Sequence, residues 1–157
     1  MNQKILRIVS LSFILVMAFL LLAACGAKPA AETSQGEGEA GEVTGKPGPA
    51  VDLTGDAAAG AVIFKDNCEE CHGPEGIGGV KNAGATEPTV PGINPLDEEF
   101  MSPDAKTLAT NIDLFIEHGA TPEGDNPAKV MKAFGDEGKL TPQQIADVIA
   151  YVISLNK

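Results

Sequence analysis

Asn67-Cys68-Glu69-Glu70-Cys71-His72-Gly73 decides how this chain reads. The heptapeptide contains C-x-x-C-H, the attachment pattern of a c-type haem. Each residue type has a chemical task. Two thiols three positions apart add across the two vinyl groups on one edge of a haem. The histidine directly after the second thiol then lies under the iron, where its imidazole is an axial ligand. A bare C-x-x-C is shared with dithiol redox pairs and half zinc sites. Here the third and last cysteine of the chain is the distant Cys25. A zinc site would need further ligands, and adjacent Cys71 and His72 with distant His118 make a poor tetrahedron.

Upstream of the thiols, Asp56 to Asn67 reads as a helix, with Ala57, Ala61, Phe64 and Cys68 on one face. Gly60, Phe64, Cys68, Cys71 and His72 together spell Gly-x-x-x-Phe-x-x-x-Cys-x-x-Cys-His, and in this the chain resembles class I cytochrome c. The resemblance implies one covalent haem c and an all-α, small cytochrome c fold with helices around it. It also implies that Gly60 lets the C-terminal helix cross close by. Gly73-Pro74-Glu75-Gly76 continues the pattern found after the haem site in small bacterial members.

From Ile77 to Pro103, Gly and Pro are frequent and periodicity is weak, so this stretch reads as a loop wrapping the haem. In the family a proline carbonyl of this loop accepts a hydrogen bond from the ligand histidine; Pro88 and Pro91 are both candidates. Ser102-Pro103-Asp104 opens the next helix as N-cap, N1 proline and first-turn acid. Leu108, Ile112, Phe115 and Ile116 form its apolar stripe and Gly119 stops it. The last helix opens on Thr141-Pro142-Gln143-Gln144, a capping box, and carries Ile145, Val148, Ile149 and Val152 inward. Tyr151 stands where the family packs an aromatic against the N-terminal helix glycine. Residues 120–128 read as a polar insertion with no assigned role.

An electron carrier keeps six strong-field ligands on its iron, and a soft thioether favours the ferrous state. Met131-Lys132-Ala133-Phe134-Gly135 is similar to the family's Met-Pro-x-Phe-Gly ligand loop, with Lys132 in place of the proline. The resemblance therefore makes Met131 the second axial ligand, giving Cys68, Cys71, His72 and Met131 as the haem-binding set. Met101 precedes a helix and reads as a packing residue. His118 reads as a last-turn histidine favoured by the helix dipole, its rival role being a second axial histidine. Lys129 and Lys132 flank the ligand loop and are expected to orient a docking partner.

Outward from the haem domain, placed at 55–157, residues 25–54 are poor in large apolar side chains and read as a flexible tether. A coil of that length reaches about 30 Å root-mean-square. Residues 1–24 read as a signal peptide: Lys4 and Arg7, then an apolar run from Ile8 to Ala24. Leu22-Ala23-Ala24-Cys25 resembles a bacterial lipobox, which implies cleavage before Cys25 and acyl chains on it. Acyl anchoring places the domain outside the cytoplasm, on the membrane surface.

Composition agrees with this organisation. Of 157 residues, 43% are hydrophobic but only 4% aromatic, with no Trp, so a large flat apolar cofactor would help fill the core. The formal net charge of −11 argues against nucleic acid and against anionic lipid as partners. No carboxylate pair, nucleophile–base set or phosphate loop stands out, so the chain reads as a carrier rather than an enzyme. The expected partners are redox proteins: a quinol-oxidising complex as donor, and a terminal oxidase or other reductase as acceptor. The alternatives are a fixed subunit of a larger membrane oxidoreductase, or a gas binder with an open sixth site.

Overall fold

A computed structural model describes residues 43–157. The expected signal peptide, Cys25 and the first part of the tether lie outside the described residues. Four helices organise the rest: α1 (Ala57–Asn67), the single turn α2 (Glu69–His72), α3 (Ala105–His118) and α4 (Pro142–Leu155). Short 3₁₀ turns occupy Pro49–Asp52 and Pro74–Gly76. Among the described residues there is no strand; pairing is limited to isolated bridges at Lys81–Thr89 and Ala120–Met131. The all-α reading holds.

The crossing of α1 and α4 is the centre of the fold. Asp56 caps α1 by accepting from the Ala58 amide at 2.8 Å. At α4, Thr141 and Gln144 form the expected reciprocal capping box. Phe64 is 2% exposed and meets the Tyr151 ring of α4 at 5.3 Å, tilted by 55°. The two backbones approach so closely that a Cβ on Gly60 would land on the Asp147 carbonyl oxygen and against the Tyr151 Cβ. Gly60 is a glycine because a helix backbone occupies its side-chain space. A Gly60→Ala substitution is therefore expected to cost about 3 kcal/mol, the upper range for overpacking, read as a lowered urea midpoint at unchanged slope.

Two boundaries move. Asp104, not Ser102, caps α3: its carboxylate accepts from the Thr107 amide at 2.8 Å and the Thr107 hydroxyl at 2.6 Å. A carboxylate reaching two donors one turn on outcompetes a serine hydroxyl two residues earlier, and Pro103 stays outside the helix. Leu108, Ile112 and Ile116 are buried as expected, while Phe115 is half-buried and meets Phe100 edge-on at 5.3 Å.

The second boundary is the tether. Its last residues, read as solvated up to Thr54, are packed on the domain. Ala50 is 2% exposed in the core beside α3 and α4. The Gly48 amide donates to the buried Asp113 carboxylate at 2.6 Å, and the Lys46 carbonyl accepts from His118 at 2.9 Å. Composition predicted a coil because it counts apolar side chains. Apart from Ala50, this strap is held by backbone groups at Lys46 and Gly48, which composition does not register.

Candidate functional site

The C-x-x-C-H segment sits where α1 ends and the chain turns into α2. Cys68 is the shared cap: its amide donates to Phe64 O, and the Cys71 and His72 amides donate back to Cys68 O at 3.1 and 2.9 Å. One tight turn thus places both thiols and the imidazole at the same end of α1. Neither thiol is in a disulfide, and both are half-buried. Cys68 packs against the core formed by α1, α3 and α4. Burial, with the neighbouring Cys71 second, pushes its thiol up to about 12. Such a thiol stays protonated and apolar, which suits a site that takes a hydrophobic macrocycle.

His72 is fastened from both ends. Its carbonyl accepts from the Gly78 amide at 2.6 Å, and the loop from Gly76 to Val80 pairs with Val90 to Asn94. That pairing brings Pro91 to the ring. Burial lowers the His72 pKa below the ordinary imidazole value, and the Pro91 carbonyl opposes the fall. Nδ1 is nevertheless buried without a partner at hydrogen-bonding geometry. A ring anchored at its other nitrogen would turn Nδ1 onto that carbonyl. Pro91 is thus the loop proline whose carbonyl stands beside His72. Pro88 has a different task, since its carbonyl accepts from the Asn82 amide at 2.8 Å.

Met131 packs against the same core as Cys68. Its amide and carbonyl pair with Ala120 at 2.9 and 3.1 Å, and three residues on the Phe134 amide donates to Ile116 O at 2.9 Å. The loop is hung from the C-terminal end of α3. Gly119, at φ 69°, must be glycine because a Cβ there would meet the Met131 carbonyl at 2.5 Å. Lys129 links the two halves of the site: its Nζ lies 4.0 Å from Cys71 Sγ and 3.5 Å from the Glu70 carboxylate. Lys129 is thus turned onto the C-x-x-C-H turn, which leaves the exposed Lys132 as the outward cation of the pair. Met101 lies apart from this loop, 42% exposed before α3.

His118 is placed elsewhere. Nδ1 is 2.8 Å from the Asp136 carboxylate and Nε2 is 2.9 Å from the Lys46 carbonyl. Both nitrogens face acceptors, so neither is offered to a metal, and both are served only by the doubly protonated ring. The Asp136 carboxylate, then the Lys46 carbonyl, raise its pKa above the ordinary value. The unfolded chain titrates near about 6.5. The stabilisation is therefore full below that pH and is lost as pH rises through the higher folded value. Relative to a His118→Gln variant, wild type should lose denaturation midpoint across that interval, and parallel profiles would refute the assignment. Among the described residues, no group of three or more His, Cys, Asp or Glu side chains gathers to hold a metal ion.

Two features of the site lay beyond the sequence reading: the inward Lys129, and the buried Asn82 whose carboxamide binds the Lys129 backbone. These are contacts between residues 58 and 47 apart, and no local spacing announces them.

Comparison with known proteins gives a consistent result. The family model described as Cytochrome c matches residues 57–156. The chain is 31% identical over 101 residues to the CcoP subunit of a cbb3-type cytochrome c oxidase from Cereibacter sphaeroides, covering 62% of this chain and 30% of the relative. It is 35% identical over 112 residues to the corresponding subunit from Azospirillum, covering 67% and 33%. It is 33% identical over 104 residues to cytochrome c6 from Gloeothece citriformis, covering 64% and 73%. The chain thus spans about 30% of the length of the oxidase subunits it matches. No solved structure matches it at comparable significance.

Proposed function

The chain belongs to the cytochrome c family, and from that premise we propose a membrane-tethered, extracytoplasmic carrier of single electrons. Haem c is its covalent cofactor, and the residues present fit one: two unpaired thiols on a half-buried turn, and a histidine whose Nδ1 is orphaned beside the Pro91 carbonyl. In this reading Cys68 and Cys71 would hold the haem through thioethers, and His72 and Met131 would hold its iron. When bound, the haem supplies an iron that alternates between two oxidation states. The chain does the rest. The C-x-x-C-H turn would fix the point of attachment, Pro91 would orient the imidazole, the α1–α4 core would exclude water, and the Met131 loop would supply its thioether.

The observation that carries this proposal is that the C-x-x-C-H turn and the Met131 loop share one core and are joined by Lys129, 4.0 Å from Cys71 Sγ. Partners of the carrier would be a quinol-oxidising complex on one side and a terminal oxidase or other reductase on the other. Among the described residues no helix is long and apolar enough to cross a membrane. We assign attachment to acyl chains on Cys25, outside those residues.

Cell fractionation tests the proposal. A haem-stained band should fractionate with membranes and take up labelled fatty acid in wild type, whereas Cys25→Ala should take up no label and keep its uncleaved leader. Redox titration of either form should give a single one-electron wave. A lipid-labelled band of mature size in Cys25→Ala refutes the lipid tether. The matched oxidase subunits favour a second reading, a fixed subunit of a larger oxidoreductase, which would co-purify with other haem-bearing membrane subunits.

A further inference from the structure

The ligand loop lacks the proline that stiffens it in the family, yet it is tightly held on the N-terminal side of Met131. Asn82 is 2% exposed. Its Nδ2 donates to the Lys129 carbonyl at 2.9 Å, and its Oδ1 accepts from the Lys129 amide at 2.7 Å. A carboxamide has the donor and acceptor of a peptide unit, so Asn82 pairs with Lys129 as a neighbouring strand residue would. Asn82 is itself fixed, its amide donating to the Pro88 carbonyl at 2.8 Å. Pro88 lies in the loop that carries Pro91 to His72. One side chain therefore joins the loop beside the proximal histidine to a point two residues before Met131.

The polar insertion, residues 120–128, holds the clamp in register. The Thr86 amide donates to Glu123 O and the Ala128 amide to Ala83 O, both at 2.8 Å. Gly84 and Gly124, at φ 84° and 135°, lie where the chains touch; a Cβ on either would strike a carbonyl of the other segment. The insertion thereby receives a role that its polar sequence does not disclose. It returns the chain alongside residues 82–86 so that Lys129 arrives opposite Asn82.

We propose that Asn82 is the positioning residue for the distal ligand, holding Met131 on the iron through the backbone of Lys129. The proposal rests on the assignment of Met131 as that ligand. Neither Asn82 nor Lys129 touches the reacting atoms. The clamp acts by reducing the fraction of time in which the Met131 loop swings away and leaves the iron open. An aspartate at 82 keeps the acceptor but turns a carboxylate oxygen onto the Lys129 carbonyl, so it loses half the clamp. Alanine loses both halves.

Carbon monoxide binding to the reduced holoprotein reads the open fraction directly. Asn82→Ala is expected to raise apparent carbon monoxide affinity about tenfold, and Asn82→Asp in the same direction, since the loss of a buried hydrogen bond is magnified when partners are left unsatisfied. The midpoint potential should fall in step. Asp104→Ala removes the N-terminal cap of α3, at the end of that helix away from the Met131 loop. It lowers stability without touching the clamp and should bind carbon monoxide as wild type does. Wild-type uptake in both Asn82 variants, with strong uptake in Met131→Ala, overturns the proposal alone. Wild-type uptake in Met131→Ala overturns the ligand assignment instead. Amide exchange in the wild-type protein needs no variant. The Lys129 amide should exchange slowly, like core amides, whereas exchange as fast as at exposed Lys132 overturns the clamp.

Discussion

Replacing Cys68 and Cys71 together by alanine is expected to move all haem into the organic phase on acid–acetone extraction, where wild type keeps it on the polypeptide. The effect is all-or-none because a thioether survives denaturation and an axial ligand does not. The single variants should each retain haem through the remaining bond. Their positions support this order: both thiols sit on one turn, held by the Cys71 and His72 amides on Cys68 O. Colour that leaves the wild-type chain on extraction would refute covalent attachment.

The second large effect concerns Met131. With Met131 as the proposed ligand, its thioether would compete with any external ligand, and if it leaves the iron about 1% of the time, carbon monoxide binds the reduced protein about a hundredfold more weakly than to an open site. Met131→Ala should recover that factor. It should also lower the midpoint potential, since a soft sulfur ligand favours ferrous iron. His118→Gln and Met101→Ala should leave both quantities unchanged. His118 is committed to Asp136 and Lys46, and Met101 lies outside the ligand loop. Carbon monoxide binding that appears in His118→Gln rather than Met131→Ala would reverse the assignment.

Local patterns carried much of this structure. The α1 and α4 helices were legible because caps, periodicity and a close-approach glycine all act within a few residues. The proximal side of the site was legible for the same reason, since the thiols and His72 occupy one turn. What the sequence concealed depends on contacts between distant residues. The strap at Lys46 and Gly48 binds α3 through backbone groups that have no side-chain pattern. His118 is read as a helix-end cation from its position, but its partners, Lys46 and Asp136, lie 72 and 18 residues away. The choice between Pro88 and Pro91 turned on loop pairing, not on composition. Asn82 is the clearest case: in sequence it is one polar residue in a Gly-rich loop, and only folding sets it against Lys129.

The alternative of a gas-binding or peroxidatic haem differs from the carrier at a single point, the occupancy of the iron on the Met131 side. The optical spectrum of the reduced wild-type protein before and after addition of carbon monoxide measures that occupancy. An unchanged low-spin spectrum is the result expected of a haem ligated by His72 and Met131. A prompt, stoichiometric carbon monoxide adduct in the wild-type protein would contradict it.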